Sequence, residues 1–206
     1  MESEDQRKVW DDIAPEWDEF KHNTDKRVLN FLETKGGNVL DLGCASGRFF
    51  VKSSAKFYGV DFSQEMLNIA KKNAIRLGVN FEGFKVDLSS ENLPFKDDFF
   101  DRIICVAVLH CITSEKGRTN LLKEIKRVLK KDGKALIKVW NRSSKRFGGK
   151  EEKFISWRDK GKRYYYFYSP EELKKELEKF GFKILEFEHK NSEGFETQEI
   201  FVVVGK

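Results

Sequence analysis

The sequence lacks the long apolar runs that a membrane span requires. None of its hydrophobic stretches approaches the ~20 consecutive apolar residues that cross a bilayer. The first residues, MESEDQRKVW, are polar and acidic, unlike the apolar middle of a signal peptide. With 206 residues, of which 39% are hydrophobic, the chain can form one sizeable core. We therefore expect a soluble cytoplasmic protein with a single domain over residues 1–206 and no membrane contact.

Cysteine is scarce, with three residues at Cys44, Cys105 and Cys111. Their number is odd and no two of them form a C-x-x-C pair, so the sequence carries neither a disulfide framework nor a zinc-binding pattern. Reduced and mostly buried thiols are the expectation, and no metal ligands are predicted.

Positive charge is concentrated in one segment of a chain whose net charge is +5 at pH 7. Residues 142–163 contain nine lysines and arginines against three acidic residues, a net +6 that leaves −1 for the rest of the chain. Charge runs are usually solvated loops, but a localised excess of this kind is also typical of a nucleic-acid-binding surface. The segment is therefore a candidate RNA-binding insertion.

Short apolar strands alternate with amphipathic helices along the chain. The pattern predicts strands over residues 38–42, 56–60, 81–86, 100–106, 134–140, 182–188 and 198–204. Alternation of this kind predicts a doubly wound α/β fold, with a mostly parallel seven-stranded sheet and helices on both faces. Since no helix separates the last two strands, the final strand is expected to run antiparallel.

Helix signals mark the segments between these strands. Ser63 and Ser169 are good N-caps for the helices that follow them, and a long amphipathic helix is expected over residues 115–130. Helix-like spacing extends over residues 6–20, with an interruption at Pro15, and a second helix is expected around residues 25–32.

A glycine turn and three strand-end carboxylates predict a nucleotide-type ligand site. The turn reads Val39-Leu40-Asp41-Leu42-Gly43-Cys44-Ala45-Ser46-Gly47. It differs from the dinucleotide pattern G-x-G-x-x-G, and the lysine-serine signature of a phosphate-binding loop is missing. Asp61 ends the second strand and is placed to accept both ribose hydroxyls, while Asp87 and the Leu88 backbone are placed to meet an adenine amino group.

The turn resembles the D-x-G-x-G-x-G sequence of class I S-adenosylmethionine-dependent methyltransferases, with Ala45 in place of the middle glycine. The resemblance covers nearly the whole chain and implies a Rossmann-like fold with S-adenosylmethionine as cofactor. It also implies that Asp41 and the carbonyl of Val106 or Ala107 lie near the amino group of the methionine moiety. The residues expected to bind the cofactor are Asp41, Gly43, Ala45, Gly47, Asp61, Phe62, Asp87, Leu88 and Val106.

Other motifs are similar to those of the tRNA wobble-uridine carboxymethyl methyltransferases. The run Val9-Trp10-Asp11-Asp12-Ile13-Ala14-Pro15 resembles the V-Y-x-x-I-A-P opening of that family, and Arg163-Tyr164-Tyr165-Tyr166-Phe167-Tyr168 resembles its R-Y-Y-H-L-Y run. The segments 107–110 and 135–140 are similar as well. The resemblance implies methyl esterification of a 5-carboxymethyl group on the anticodon uridine of tRNA.

An ionised carboxylate attacks a sulfonium methyl group without a strong base, so catalysis can rest on alignment and on exclusion of water. His110, Arg163 and Tyr165 are the candidates for orienting that carboxylate. We expect residues 1–34 to form N-terminal lid helices and residues 142–168 to form a basic, aromatic insertion that binds the substrate. The candidate RNA contacts are Lys21, His22, Arg142, Lys145, Arg146, Trp157, Arg158 and Lys162.

The resemblance further implies a small zinc-binding activator subunit that adds a strand to the sheet at the edge formed by residues 81–86. Two alternatives remain open. One is a methyltransferase for a small metabolite such as a quinone or a fatty acid, which a neutral 142–163 segment would favour. The other is a non-catalytic methyltransferase-like scaffold subunit, against which the complete set of Gly43, Gly47, Asp61 and Asp87 argues.

Overall fold

A computed structural model of the chain describes residues 3–20, 25–189 and 198–206. The helices and strands of this part of the chain are numbered separately in chain order. The helices are α1 Ser3–Phe20, α2 Lys26–Leu32, α3 Gln64–Leu77, α4 Glu115–Val128 and α5 Pro170–Lys179. The strands are β1 Asn38–Leu42, β2 Lys56–Asp61, β3 Phe81–Lys85, β4 Phe100–Val106, β5 Leu129–Trp140, β6 Glu152–Ser156, β7 Lys162–Tyr166, β8 Lys183–His189 and β9 Glu199–Gly205.

Seven of the strands described form one sheet in the order β3-β2-β1-β4-β5-β9-β8. Strands β1 to β5 pair in parallel, whereas β9 runs antiparallel to both of its neighbours. The predicted seven-stranded sheet with an antiparallel last strand is therefore confirmed. The chain order of the strands reverses between β1 and β4, and ligands of open α/β sheets bind at the carboxyl ends of the strands beside such a reversal.

The predicted helix starts are formed by hydrogen bonds at the caps. The Ser63 side chain accepts from the Met66 backbone amide, and Ser169 forms a reciprocal capping box with Glu172. Helix α3 ends at Gly78 in a left-handed conformation, which glycine adopts without steric cost. Ser63 and Ser169 thus fix where α3 and α5 begin, and Gly78 fixes where α3 ends.

Helix α1 continues through Pro15, although the sequence predicted an interruption there. A proline inside a helix loses one backbone hydrogen bond and strains the preceding turn. Ile13 and Ala14, directly before it, are completely buried, and α1 packs against both α3 and β7. Tertiary packing on this scale outweighs the local penalty of the proline.

Two further segments differ from the sequence prediction. Strand β5 begins at Leu129, inside the expected helix, because the fully buried Leu129 pairs with Phe100 before the register shifts. The basic, aromatic insertion also contains an antiparallel hairpin of β6 and β7, for which the sequence analysis predicted no strands. Its inner face packs on Trp140 and on the aromatic side chains of α1, a long-range contact that local patterns do not report.

The apolar core lies on both faces of the sheet, as strands with nearly continuous hydrophobic sequence require. The cysteines are free thiols, with Cys44 and Cys105 buried and Cys111 half-buried, close to the expectation. Among the residues described, no helix is long and apolar enough to cross a membrane. The same residues contain no group of three or more His, Cys, Asp or Glu side chains arranged to hold a metal ion.

Candidate active site

A cavity opens at the carboxyl ends of β1, β2 and β4, and α1 lies across it. Nine residues were predicted to bind the cofactor, and those on the cavity wall are Gly43, Ala45, Asp61, Phe62, Asp87, Leu88 and Val106. The other two do not line it: Asp41 is buried in β1, and the Gly47 amide donates to the carbonyl of Cys44, a wall residue. Helix α1 contributes Gln6, Arg7, Trp10 and Trp17 to the same wall.

Asp61 is held in place by backbone amides. Its Oδ2 accepts from the Ala45 amide at 3.0 Å and its Oδ1 accepts from the Ser63 amide at 2.9 Å. Each carboxylate oxygen still has a lone pair to offer, which suits the two hydroxyls of a ribose. Burial raises the pKa of Asp61 to about 6, so the carboxylate is ionised at neutral pH.

Asp41 is a buried carboxylate without a complete set of partners. It is 3% exposed, and its Oδ2 has no hydrogen-bond partner among the residues described. Burial raises the pKa of Asp41 to about 8, although the nearby Arg48 opposes the rise. An unpaired buried carboxylate is unfavourable, and a cationic ligand group relieves it. The amino group at the methionine end of S-adenosylmethionine fits this requirement.

Arg48 is a residue of the site that the sequence analysis missed. It lines the cavity, and its charge acts on Asp41. Its Nε has no hydrogen-bond partner in the described part of the chain, and burial lowers its pKa while Asp41 raises it. Arg48 thus lines the cavity beside the buried Asp41, whose raised pKa leaves it largely protonated at neutral pH in the absence of a cationic partner. The signal in the sequence was a cation directly after the glycine turn.

The Asp87 side chain accepts hydrogen bonds both from Ser89, in the loop after β3, and from Arg7 of α1. Its Oδ1 accepts from the Ser89 amide at 2.9 Å and the Ser89 hydroxyl at 2.6 Å. Its Oδ2 accepts from the Arg7 guanidinium at 2.7 Å. Burial alone raises the pKa of Asp87, but the Ser89 hydrogen bonds and the Arg7 charge hold it below the ordinary value. The carboxylate that was expected to accept from an adenine amino group therefore already accepts from Arg7 of the protein.

Left-handed backbone conformations concentrate on the cavity wall. Gly43 has φ +63°, and a side chain there would collide with Val108. Ala45 and Ala107 also have positive φ, 46° and 61°, although they carry a Cβ. Both alanines line the cavity, so backbone strain is stored where the ligand would approach the chain.

Arg163 lies behind the cavity in an enclosure of four aromatic rings, which we call the Arg163 box. Its guanidinium carbon lies 5.6 Å from the ring centroids of both Trp10 and Trp17. It lies 4.8 Å from Trp157 and 5.4 Å from Tyr165. The residue is 6% exposed, and within the described ranges it has no carboxylate partner and its Nε is unbonded. Trp10 and Trp17 separate it from the cavity, whose wall they form.

His110 and Tyr165, the other two candidates for catalysis, lie outside the cavity wall. His110 is completely buried, and its Nδ1 accepts from the Trp140 amide at 3.0 Å, which puts its proton on Nε2. Burial lowers the pKa of His110 to about 3, so the ring is neutral. Tyr165 stacks on Trp140 with centroids 4.4 Å apart and contacts the His110 ring. Tyr165 is itself one of the four rings of the Arg163 box, and His110 packs against Tyr165.

Several predicted RNA contacts are already engaged inside the protein. Arg142 forms ion pairs with Glu151 and Glu172 and donates to the Phe167 carbonyl, so it anchors the insertion to α5. Trp157 is half-buried against Trp17 rather than presented as an open stacking platform. The charge count of the segment could not show these contacts, because Glu172 and Trp17 lie outside it and pairing with Glu151 depends on the fold.

The remaining predicted contacts lie in two groups. Arg158, Lys145, Arg146 and Lys162 are exposed. Arg158 pairs with Glu16 of α1 at 2.8 Å, and Arg146 lies over the Trp140 ring at 5.9 Å. Lys21 and His22 lie outside the described residues.

Comparison with known proteins places the chain among methyltransferases. Residues 39–133 match the family described as methyltransferase domain. The chain is 33% identical over 191 residues to a putative methyltransferase of Encephalitozoon cuniculi, covering 88% of this chain and 84% of that protein. It is 35% identical over 143 residues to a tRNA (carboxymethyluridine(34)-5-O)-methyltransferase of Xenopus tropicalis, covering 68% of this chain but only 22% of that longer protein.

A solved structure extends the likeness to the whole fold. A chain from the complex between the Haloferax volcanii Trm112 methyltransferase activator and its putative methyltransferase superposes with a TM-score of 0.72 at 18% identity. The superposition covers 100% of this chain and 98% of that one. Together with the strand-end acids and the glycine turn on one cavity, these likenesses show that the chain belongs to the class I S-adenosylmethionine-dependent methyltransferases.

Proposed function

We propose that this enzyme methylates the carboxylate of 5-carboxymethyluridine at the wobble position of tRNA, forming a methyl ester. The observation that carries the proposal is the Arg163 box, a buried guanidinium without a carboxylate partner in the described residues, one layer of side chains from the cofactor cavity. A cation buried in this way is unfavourable unless a ligand supplies the anion. The similarity to the Xenopus enzyme supports the same acceptor.

The aromatic rings of the box suit a pyrimidine that carries a carboxylate. A guanidinium binds a carboxylate through two parallel hydrogen bonds, and flat rings stack on a base that has been turned out of an RNA loop. Trp10 and Trp17 belong to α1, so access from the cavity to Arg163 requires a shift of this helix. Helix α1 would then act as the lid expected over residues 1–34, opening for the base and closing behind it.

The proposed chemistry needs alignment rather than a base. The cofactor supplies an electrophilic methyl group: a carboxylate oxygen bonds to the methyl carbon while the bond from that carbon to sulfur breaks and leaves its electron pair on sulfur. Arg163 would orient the carboxylate, Tyr165 and His110 would hold Arg163 and its neighbours in place, and the closed rings would exclude water. A neutral His110 with a pKa of about 3 suits a positioning residue and not a proton acceptor.

Exposed cations on the insertion supply candidate contacts to the RNA backbone. Lys145, Arg146 and Lys162 are exposed, and Phe154 of β6, which is 38% exposed, belongs to the same hairpin as Lys162. Positive charge next to an exposed ring is the combination that single-stranded RNA loops favour. We therefore assign residues 142–168 to the anticodon loop, with Arg142 and Trp157 as its structural anchors.

A small activator subunit is proposed at the edge strand β3. Within the described residues β3 pairs with β2 alone, so its other side offers backbone groups to an added strand. The fold is shared with a methyltransferase solved with an activator, which supports the idea. Mixing the purified chain with a zinc-loaded activator subunit should give co-elution and a higher unfolding temperature. Separate elution of the two proteins would contradict this proposal.

The function is tested with radiolabelled S-adenosylmethionine and bulk tRNA that lacks the wobble ester, with and without the activator subunit. Label should enter the tRNA and be released by mild alkali, because esters hydrolyse there. Alkali-stable label in RNA would overturn the carboxylate acceptor. Label in a small-molecule extract and none in RNA would indicate a metabolite methyltransferase, and no transfer at all would indicate a scaffold subunit.

A matched pair of variants makes this test specific to the box. Arg163→Lys keeps the positive charge but cannot donate the two parallel hydrogen bonds of a guanidinium. Arg163→Met removes the charge and keeps a side chain of similar length. Both should bind the cofactor as tightly as the wild type, since Arg163 does not line the cavity. Only tRNA methylation should fall, and it should fall further for Arg163→Met.

A further inference from the structure

Three donors from the turn between β6 and β7 converge on a single carboxylate of α1. Glu16 Oε2 accepts from Trp157 Nε1 at 3.1 Å and from the Arg158 guanidinium at 2.8 Å. Glu16 Oε1 lies 2.6 Å from the Lys160 ammonium. The Lys160 hydrogen bond and then the Trp157 hydrogen bond hold the pKa of Glu16 below its ordinary value, so Glu16 is an anion. We call the three donor residues Trp157, Arg158 and Lys160 the cradle.

The turn itself is shaped to bring these donors together. The Trp157 amide donates to the Gly161 carbonyl and the Lys160 amide donates to the Trp157 carbonyl, which closes the turn. Arg158 has φ +48°, a left-handed conformation unusual for a residue with a side chain. Two cations and an indole N–H thus point to one position, although only one negative charge occupies it.

We propose that Trp157, Arg158 and Lys160 form a binding site for a phosphodiester of the RNA substrate, which Glu16 fills when RNA is absent. The inference rests on the proposed RNA substrate and adds how the lid responds to it. A phosphodiester carries the same single charge as the Glu16 carboxylate and has two acceptor oxygens with a similar reach.

Displacement of Glu16 has a direct consequence for the acceptor site. Glu16 lies on the same helix as Trp10 and Trp17, which separate Arg163 from the cavity. While Glu16 holds the turn, it adds to the ties between α1 and the hairpin that Gln6 makes with Lys162 and Tyr164 and that Lys160 makes with the Asp12 carbonyl. An RNA phosphate that takes its place removes the tie next to Trp17 in the helix, so the backbone contact that recognises RNA would also loosen the wall in front of the Arg163 box.

The position of the cradle favours RNA over an acidic protein. Exposed Lys162 follows the turn directly, and exposed Lys153 lies on the paired strand of the same hairpin. Phe154, 38% exposed, lies beside Lys153. Cations spaced along a hairpin with an exposed ring fit a nucleic-acid backbone and its bases. An acidic protein partner is the alternative that the experiment separates.

The test measures binding of an unmodified anticodon stem-loop RNA to the full-length chain without cofactor, by fluorescence anisotropy across a salt series. Glu16→Gln removes the competing charge and should tighten binding by roughly two- to fivefold at low salt, the effect expected of a partly exposed ion pair. Glu19→Gln is the matched control: it makes the same charge change three residues along α1 at an exposed position. It should leave the affinity within a factor of about two, as screened surface charges do.

Variants of the cradle show whether the effect is local. Arg158→Gln with Lys160→Gln should weaken RNA binding and reduce the salt slope by about one for each phosphate that the protein no longer neutralises. In the double variant Arg158→Gln, Lys160→Gln, the added change Glu16→Gln should leave the affinity for RNA unchanged. An equal gain from Glu16→Gln with and without the cradle would show a general charge effect and overturn the proposal.

Two further outcomes complete the test. If Glu16→Gln increases the affinity for polyglutamate as much as the affinity for RNA, the cradle binds carboxylates and the RNA assignment is overturned. If neither the wild type nor Glu16→Gln binds RNA, the phosphate site is overturned as well. These readouts are independent of methyl transfer: a chain that binds RNA as expected but forms no ester refutes the proposed function and keeps the phosphate site.

Discussion

Arg7 of α1 donates to Asp87 at 2.7 Å, so the helix that lies across the cavity is joined to the acid that follows β3. The Asp87 carboxylate is 9% exposed and the Arg7 side chain 45% exposed. If Asp87 meets an adenine amino group, as the sequence predicts, that group would have to share Oδ2 with Arg7, because Oδ1 already accepts twice from Ser89. We therefore expect Arg7 and the adenine to compete for this oxygen.

We expect Arg7→Gln to speed S-adenosylmethionine binding. With the ion pair removed, the cofactor no longer waits for Arg7 to leave Asp87, and the association rate should rise severalfold in stopped-flow experiments. Lys8→Gln is the control, since the exposed Lys8 pairs with Asp12 of its own helix and does not line the cavity. An association rate for Arg7→Gln equal to that of the control would contradict the competition.

The pKa of Asp41, raised by burial to about 8, predicts how stability depends on pH. Because the folded-state pKa lies above the unfolded value, Asp41 contributes stability that is present below about pH 4 and lost as the pH rises towards 8. Asp41→Asn should therefore unfold at a higher temperature than the cofactor-free wild type at pH 8, by at least roughly 2–4 °C. Thermal unfolding monitored by circular dichroism checks this expectation.

The same substitution should have the opposite effect on cofactor binding. If Asp41 pairs with the amino group of the cofactor, as the sequence predicts, Asp41→Asn removes the carboxylate of that pair, so calorimetry should show weaker S-adenosylmethionine binding. A variant that is less stable at pH 8 would mean that another group already compensates the buried charge of Asp41. Asp101→Asn is a suitable control, because the pKa of that acid is lowered and it pairs with Lys130 away from the cavity.

Ala45→Gly should relieve strain in the glycine turn. Ala45 has φ +46°, where a Cβ costs ~1–2 kcal/mol and glycine costs little. The gain is offset by ~0.4–1 kcal/mol because glycine makes the unfolded chain more flexible. The unfolding temperature should thus stay equal or rise slightly, with cofactor affinity retained.

Ala74→Gly provides the comparison for this prediction. Ala74 lies in the regular helix α3, where glycine is unfavourable, and its replacement should lower the free energy of unfolding by ~1 kcal/mol. Similar losses in the two variants, measured by urea unfolding, would mean that Ala45 is not strained.

Arg163→Met should separate stability from activity. Methyl transfer to tRNA should fall by about 10- to 100-fold, as loss of hydrogen bonds to a charged group predicts. The unfolding temperature should not fall, because the substitution removes a buried charge without a carboxylate partner in the described residues. A large loss of stability together with the loss of activity would identify Arg163 as a structural residue of the aromatic cluster.

Much of the cofactor side of the site could be predicted from local sequence. Asp61 and Asp87 end buried strands, and a turn with glycines at positions 43 and 47 follows the first strand. Since the carboxyl ends of parallel strands lie at the same edge of the sheet, the two acids and the glycine turn lie close together without any contribution from the rest of the chain. The prediction failed at Pro15 and at the start of β5, where long-range packing outweighed local propensity.

The acceptor side depended on contacts that no local pattern reports. The sequence marked Arg163 and the basic segment, but the pairing of Glu16 with Arg158 joins residues 142 positions apart, and Arg7 reaches Asp87 over 80 positions. The sequence by itself determined the seven-stranded sheet and the acidic rim, because strand periodicity and strand ends are local properties. Only the tertiary structure decided that Arg158 is paired with Glu16 and that Arg163 is buried without a carboxylate partner among the described residues, because both depend on where α1 crosses the cavity.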